Sequence, residues 1–337
     1  MAMMEKLFKR NEPYLFFVIL AFSLMVTTIN PSFLTIENMF DLIASSSGTA
    51  ILAIAFFVGL LTGGIDISFP AIAISGQYIA VNTLIALGID NLAFAFAISC
   101  IVGTALGAVN AFFVSAFRMS ALIVTLATSN IFHGALLVFV GTKAINTGQL
   151  PDCFKVFGHM NVLTLTRTDG TTYGLSIFAV LLLGVIVITW LILQHTLLGK
   201  SIYAVGGSYE SSKRAGFNIN RTLFFVYSYI GFLSGIMGVM HLSLIRYSNP
   251  TYIIDTELLR TIAAVVIGGS RITGGSGTLI GTLLGVVMLV ILEKNLVLMG
   301  LSSYWHQFFT GLIIVLGVSI THYQGKLQRK KSLSFID

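Results

Sequence analysis

Charged side chains are scarce in this chain. Only 9% of its 337 residues are Asp, Glu, Lys or Arg, whereas 56% are hydrophobic, and the mean hydropathy is +0.93. A soluble globular chain carries roughly a quarter charged residues. A soluble protein of this length has no way to cover its surface with so few charges. The scarcity therefore excludes a soluble fold and favours a chain whose outer surface faces lipid.

Cysteine and catalytic groupings are sparse as well. The two cysteines, Cys100 and Cys153, provide neither a disulfide framework nor a metal site. The six histidines are scattered, without an i,i+4 pair. Gly199-Lys200-Ser201 imitates the end of a phosphate-binding loop, but the position five residues before Gly199 is Gln194 rather than glycine. We therefore expect a chain that is not an enzyme, binds no metal or cofactor and hydrolyses no ATP of its own.

Long apolar runs are abundant. A run of about 20 residues crosses the ~30 Å hydrocarbon layer as a helix, which satisfies its own backbone hydrogen bonds. The sequence predicts an all-α polytopic membrane protein of about ten transmembrane helices, some broken at Gly-Gly motifs, in one domain over residues 1–337. The first run is expected to be an uncleaved span. The approximate cores are 14–30, 42–61, 67–87, 92–116, 120–141, 173–194, 222–242, 257–270, 277–296 and 303–321.

The positive charges predict the orientation. Lys and Arg accumulate on the cytoplasmic side of membrane proteins, and ten spans with both termini cytoplasmic place thirteen of them inside and five outside. The net charge of +6 thus fits an inner-membrane protein, and no basic stripe for nucleic acid is present. The inner set is Lys6, Lys9, Arg10, Arg118, Lys200, Lys213, Arg214, Arg221, Arg271, Lys326, Arg329, Lys330 and Lys331; the outer set is Lys143, Lys155, Arg167, Arg246 and Lys294. The last four of the inner set form a basic tail, 322–337.

The stretch Gly63-Gly64-Ile65-Asp66-Ile67-Ser68 predicts a helix break at membrane depth. An ionisable group at such a depth costs at least ~2.5 kcal/mol unless it is paired or wetted, so it usually has a role. Asp66 and Ser68 are expected to cap the following helix. Direct contact with a solute is the compatible alternative, because a capped half-helix can border a pathway.

The cytoplasmic connection, about 195–221, is the second informative stretch. Leu198 to Gly216 reads as a turn, then a short helix with Ser208 as its N-cap, then a stop at Gly216. So short a helix is unstable alone in water and needs a surface to lie on. The alternative is a solvated loop held by lipid headgroups. The other long connection, about 142–173, is polar and predicted to be external.

A third stretch, residues 262–278, contains too many glycines for a continuous helix. Gly268, Gly269, Gly274 and Gly275 predict a break near the cytoplasmic face. Thr273-Gly274-Gly275 echoes Thr62-Gly63-Gly64, and glycine-broken segments at matching places in two halves are a pointer to a transport pathway. Whether the echo is a true repeat stays open, since glycine is common in membrane helices.

Two further features bear on packing. The spaced glycines in 103–107, 231–235 and 277–285 are typical of closely packed membrane helices. Arg260, inside a segment, is expected to snorkel or to pair with Asp255, Glu257 or Glu293 rather than to bind solute.

Taken together, these stretches resemble the permease subunits of bacterial sugar ABC importers, the group that includes ribose, galactose, xylose and autoinducer-2 permeases. The resemblance covers nearly the whole chain. Its carriers are Gly63-Gly64-Ile65-Asp66-Ile67-Ser68, Ala121-Leu122-Ile123-Val124-Thr125-Leu126, Ile145-Asn146-Thr147-Gly148, Leu198 to Gly216, Ile262 to Gly277 and Leu301-Ser302-Ser303-Tyr304-Trp305.

The resemblance implies a complex. Two permeases, identical or sisters, would enclose a pathway on the dimer axis, and an external binding protein would deliver the solute. A cytoplasmic ATPase pair, holding ATP and Mg²⁺, would receive the short helix. The expected coupling residues are Ser208, Tyr209, Glu210, Ser211, Ser212, Lys213, Arg214, Ala215 and Gly216; the expected pathway or break residues are Gly63, Gly64, Asp66, Ser68, Gly268, Gly269, Gly274 and Gly275.

Other functions stay open at this point. Permeases for nucleosides or branched-chain amino acids are the nearest alternative to sugar. A self-sufficient secondary transporter would need buried carboxylates as ion relays, for which only Asp66 and Glu293 are near candidates. The chain departs from the sugar-permease pattern at Phe69-Pro70-Ala71, at Arg260 and at Glu293-Lys294-Asn295. These departures concern the solute rather than the fold.

Overall fold

The computed structural model describes residues 11–167, 172–251 and 255–298, together with residues 305, 308, 309, 311, 312 and 315. The predicted tenth segment, 303–321, lies almost entirely outside the described residues, and so does the tail, 322–337. The helices are α1 Asn11–Ile29, α2 Ile36–Leu61, α3 Phe69–Leu87, α4 Leu92–Ala116, α5 Ala121–Ala135, α6 Asp152–His159, α7 Ile177–His195, α8 Leu197–Gly207, α9 Tyr209–Arg214, α10 Ile219–Ile245, α11 Asp255–Ile267 and α12 Leu279–Leu298.

The membrane prediction is confirmed at the level of helices. Within the described residues, six helices are long and apolar enough to cross a membrane. They are α2, α3, α4, α5 with its π-helical extension Leu136–Val140, α7 and α10. The apolar part of α1, Glu12–Thr28, is shorter than these six helices. The count of ten spans stays a prediction.

The connection between α5 and α7 adds a small non-helical part to this all-α membrane fold. This segment holds α6 and an antiparallel hairpin of β1 Asn161–Thr166 and β2 Thr172–Ser176. Strand β1 alternates Val162, Thr164 and Thr166 with Leu163 and Leu165. Such β-branched alternation favours strands once a partner is adjacent.

Helix α2 is the centre of the bundle. Every residue from Ala50 to Leu61 is buried, so the second half of α2 is surrounded by protein on all sides. A helix that is hydrophobic all round and buried in this way belongs to the interior of a membrane bundle. Helices α7, α10, α11 and α12 all contact it. Anything attached to the end of α2 is therefore attached to the core.

Helices α4 and α10 pack closely against each other. A Cβ on Gly103 would overlap the carbonyl oxygen of Gly231, and a Cβ on Gly231 would overlap that of Gly103. Gly107 and Gly235 lie equally close to backbone atoms of the opposite helix. The predicted role of these glycines in close helix packing is confirmed. Glycines also allow close packing of α11 with α12, since Gly281 lies against the carbonyl of Gly268.

The bundle has two distinct ends. We name the end that carries α6 and the hairpin the hairpin end. There the Cys153 backbone N–H donates to Asp90 (2.7 Å) and Ile145 pairs with Ser248. We name the opposite end, where α2, α8 and α11 finish, the junction end.

Candidate functional site

The first helix break lies between α2 and α3. Helix α2 ends at Leu61, Gly63 has φ +80°, and α3 begins at Phe69. In between, Asp66 Oδ1 accepts hydrogen bonds from both the backbone N–H and the hydroxyl of Ser68, each 2.7 Å. The predicted break is confirmed, and the two hydrogen bonds from Ser68 to Asp66 hold the broken segment in a local turn.

The capping hypothesis needs a correction. Ser68 occupies the N-cap position of α3, but its side chain accepts no capping hydrogen bond; its hydroxyl is turned toward Asp66 instead. Pro70 lies in the first turn of α3, where a missing N–H costs nothing because no helical acceptor is available there. Pro70, which departs from the sugar-permease pattern, therefore fits the first turn of α3 and helps to start this helix.

Neighbouring helices supply polar partners to this break. Asn110 Nδ2 of α4 donates to Ser68 Oγ at 2.7 Å. Thr125 Oγ1 of α5 donates to the Ile65 carbonyl and accepts from the Ile67 N–H, each 3.2 Å. Asp66, Ser68, Asn110 and Thr125 are all 0% exposed. The break is therefore a fully enclosed polar centre inside an apolar bundle.

The second break separates α11 from α12. Helix α11 ends at Ile267, and Gly269, Gly274 and Gly275 have φ values of +86°, +86° and +73°. Residues other than glycine pay to adopt this left-handed region. The predicted break at these glycines is confirmed, and Gly268 serves helix packing as described above.

The connection after α7 differs from the prediction in one part. The stretch read as a turn is the helix α8, Leu197–Gly207, because the Thr196 hydroxyl accepts from the Gly199 N–H at 3.1 Å and starts a helix. The remainder is as predicted. Ser208 caps α9 by accepting from the Ser211 N–H at 3.3 Å, and Gly216 follows the helix with φ +85°.

The end of α8 packs directly on both breaks. A Cβ on Gly206 would overlap the Leu61 carbonyl oxygen and lie 2.5 Å from the nitrogen of Gly275. A Cβ on Gly275 would lie 2.7 Å from Cα of Gly207, and one on Gly274 would lie 2.5 Å from the nitrogen of Gly63. The Gly275 N–H also donates to the Leu61 carbonyl at 2.9 Å.

We call this contact of three chain segments the glycine junction, formed by residues 61–63, 206–207 and 274–275. The two Thr-Gly-Gly stretches that echo each other in sequence therefore touch in space. Backbone meets backbone with no side chain between, so a displacement of α8 cannot be absorbed by a rotamer change.

A cavity of about 240 Å³ lies beside the junction. Its wall includes Gly63 and Gly64 from the first break, Tyr209 from α9 and Tyr227 from α10. Arg118, between α4 and α5, also lines the cavity and holds its guanidinium carbon 5.9 Å from the centre of the Tyr209 ring, a cation–π contact. Helix α9 and the first break therefore line the same cavity.

The pairing expected for Arg260 is confirmed. Its Nη1 lies 2.9 Å from Glu257 Oε1, and its Nε lies 2.9 Å from Glu293 Oε1. Thr49 of α2 donates to the second oxygen of Glu257 at 2.7 Å. This Arg260 network joins α2, α11 and α12 on the hairpin side of the bundle, so the unusual arginine is engaged in holding helices.

Several residues at this site were not predicted. Tyr227 is fully buried next to Gly64, and nothing in an apolar run distinguishes it from a packing tyrosine. Arg118 was read only as a topological charge, and Asn110 was not singled out. Gly206 and Gly207 did carry a signal, because an adjacent glycine pair at a helix end permits a close backbone approach.

The family model described as the permease component of branched-chain amino acid transport systems matches residues 38–318. The chain belongs to this family. It is therefore a transport permease and not itself an enzyme, and the multi-pass membrane protein inferred from the apolar helices is an inner-membrane one by family. No solved structure matches it.

The names of the curated proteins that the chain resembles include the solutes that those proteins import. The chain is 32% identical over 299 residues to the ribose import permease protein RbsC of Escherichia coli strain K12, which covers 88% of the chain and 89% of that protein. RbsC of Bacillus subtilis is 32% identical, with 92% and 90% covered. The autoinducer 2 import system permease protein LsrC of an Enterobacter species is 31% identical, with 94% and 88% covered.

Proposed function

We propose that this chain is the membrane-spanning permease subunit of an ABC importer that moves a sugar or sugar-like solute inward. Its membership of a permease family and its full-length similarity to ribose and autoinducer-2 permeases support the solute class. The observation that carries the mechanism is the glycine junction, which joins the short helix α8 to both helix breaks.

In the proposed mechanism α8 and α9 are the coupling element. The α9 residues Glu210, Ser211, Lys213 and Arg214 are exposed, whereas Ser212 is buried against the chain. A partner ATPase, holding ATP and Mg²⁺, would contact that exposed face across residues 208–216. Gly206 lies only two residues before this face. A movement of the ATPase would therefore displace Gly206 and, through the glycine junction, both helix breaks.

The pathway is proposed to run beside the two breaks. Gly63 and Gly64 would border it from one side, with the enclosed Asp66 and Ser68 fixing the shape of that break. Gly268, Gly269, Gly274 and Gly275 would border it from the other side. A second permease copy or a sister chain would complete it. Ten spans with both termini cytoplasmic would put the junction end on the cytoplasmic side, where a partner ATPase could reach α8 and α9.

The hairpin end is the proposed receiving face for an extracytoplasmic solute-binding protein. It carries α6 and the β-hairpin, and most side chains of β1 are exposed there. A binding protein needs such an exposed, ordered surface to deliver solute to a closed bundle.

The direct test is reconstitution in proteoliposomes with the cognate ATPase and binding protein. We expect solute uptake that requires ATP and all components. Glu210→Ala should reduce the ATPase stimulation caused by loaded binding protein without preventing membrane insertion. Uptake by the permease alone along an ion gradient would instead support a secondary transporter and contradict the proposal.

Branched-chain amino acids or nucleosides are the second candidate solute class, because the family description itself names branched-chain amino acids. A thermal-shift panel on the cognate binding protein separates the classes. A pentose, hexose or autoinducer-2 should raise its melting temperature. Stabilisation by leucine or a nucleoside alone would replace the sugar assignment while leaving the permease assignment intact.

A further inference from the structure

The enclosed polar centre at the first break contains a fixed arrangement of hydrogen-bond donors and acceptors. The Ser68 hydroxyl has a single proton, which it donates to Asp66 Oδ1. Asn110 must therefore approach Ser68 Oγ with its amide nitrogen, as it does at 2.7 Å. This fixes the amide orientation and points Asn110 Oδ1 away from Ser68.

Three polar atoms at this centre have no hydrogen-bond partner among the described residues. They are Asp66 Oδ2, Asn110 Oδ1 and Tyr227 Oη, and each belongs to a side chain that is 0% exposed. Asp66 and Asn110 share the Ser68 hydroxyl, and the hydroxyl of Tyr227 lies against Gly64, two residues before Asp66. Native proteins rarely leave buried polar atoms unpaired, because each loses its hydrogen bonds to water.

The chemistry of the three atoms defines a complementary ligand. The carboxylate and amide oxygens are acceptors, and the tyrosine hydroxyl offers one proton. A water molecule donates two hydrogen bonds and accepts at least one, and buried waters typically make about three hydrogen bonds to such groups. We propose that Asp66, Asn110 and Tyr227 hold one buried water, and that this water ties the α2–α3 break to α4 and α10.

The site also accounts for the glycine at position 64. A Cβ there would overlap Tyr227 Oη, whereas its other neighbours, Cβ of Ala121 and Cζ of Tyr227, lie at 3.3 and 3.4 Å. The hydroxyl of Tyr227 is thus the main atom that forbids a larger residue. Gly64 acts as a positioning residue that leaves room for the hydroxyl to reach the water.

A density map of the assembled transporter in lipid nanodiscs tests the ligand. We expect one density peak at hydrogen-bond distance, about 2.7–3.2 Å, from all three oxygen atoms. Direct contact of Tyr227 Oη with Asp66 Oδ2, with no peak between them, would overturn the proposal. A peak at the roughly 2.3–2.6 Å of calcium–oxygen ligation would replace the water by a cation.

A set of variants tests the same site independently of a map. Tyr227→Phe removes the donor and should lower the melting temperature of the complex more than Tyr229→Phe, which loses only the 2.7 Å contact with Thr189. Gly64→Ala should lower it because the hydroxyl is displaced.

The double variant tests whether Gly64 and the hydroxyl of Tyr227 share one site. In Gly64→Ala/Tyr227→Phe the added methyl group meets no hydroxyl, and only the contacts of 3.3 and 3.4 Å with Ala121 and the ring remain. Gly64→Ala should therefore lower the melting temperature far less in the Tyr227→Phe background than in the native protein. Additive losses would show that Gly64 and the hydroxyl do not share one site. These readouts are structural, so they stand or fall separately from the transported solute and the partner ATPase.

Discussion

The two ends of the bundle are held together by different kinds of contact. At the junction end, three chain segments meet backbone to backbone through Gly206, Gly274 and their neighbours. On the hairpin side, the Arg260 network and the Asp90 carboxylate join segments through side chains, beside the backbone pairing of Ile145 with Ser248. Side chains can adopt new rotamers when helices shift, whereas a backbone contact can only move as a unit or separate. We therefore expect the junction end to transmit a displacement of α8 more directly than the hairpin end.

The largest effect in this comparison is expected for Gly274→Ala. The new Cβ would lie 2.5 Å from the nitrogen of Gly63, on a residue with φ +86°. Strain and overlap together should destabilise the protein by about 2–5 kcal/mol and abolish transport. Thermal unfolding of the purified complex measures the first effect.

The matched control is Gly88→Ala. Gly88 has φ +63°, but within the part of the chain that the structure describes, a Cβ there meets no atom within 4 Å. It should cost only the backbone strain of about 1–2 kcal/mol and leave transport intact. Equal losses in the two variants would mean that the junction has no special importance.

A smaller loss is expected from Arg260→Met, which leaves Glu257 and Glu293 without their cation. Breaking a fully buried ion pair costs about 3–5 kcal/mol. Because the Arg260 side chain is 28% exposed, we expect about 1–3 kcal/mol after allowing for solvent screening. Adding Glu293→Gln should recover part of this loss, and a double variant no more stable than Arg260→Met would contradict the pairing.

The smallest effect is expected at Asp90. The hydrogen bond from the Cys153 backbone N–H holds the pKa of the Asp90 carboxyl below its ordinary value. A carboxyl whose pKa is lower in the folded state than in the unfolded state stabilises the fold at pH values above its unfolded-state pKa. This stabilisation is lost as the pH falls through the folded-state pKa. Asp90→Asn should therefore slightly lower the melting temperature at pH 7, with the difference narrowing below about pH 4.

Thiol reactivity gives a second readout of the same contact. Burial, together with the hydrogen bond and charge of Asp90, raises the pKa of Cys153 to about 12. In a Cys100→Ser background, Asp90→Asn should speed alkylation of Cys153. An unchanged alkylation rate would show that Asp90 does not control this segment.

The sequence predicted local features of the site better than its contacts. Ser208 as an N-cap, Gly216 as a stop and the breaks at Gly63 and Gly274 follow from backbone chemistry that acts within a few residues. The meeting of Gly206 with Leu61 joins positions about 145 residues apart, and nothing local specifies it. The hairpin did carry a signal, because Asp169-Gly170 between alternating runs is typical of a hairpin turn.

The central claim is that the glycine junction carries movement from the cytoplasmic coupling segment to both helix breaks. The most direct measurement is the amount of solute transported per ATP hydrolysed, compared between Gly206→Ala and Gly207→Ala in the reconstituted complex. A Cβ on Gly206 would overlap the Leu61 carbonyl oxygen, whereas one on Gly207 would meet no atom of the described residues within 4 Å. We predict that Gly206→Ala retains ATP hydrolysis but loses most transport, while Gly207→Ala keeps both. An unchanged ratio in Gly206→Ala would contradict the claim.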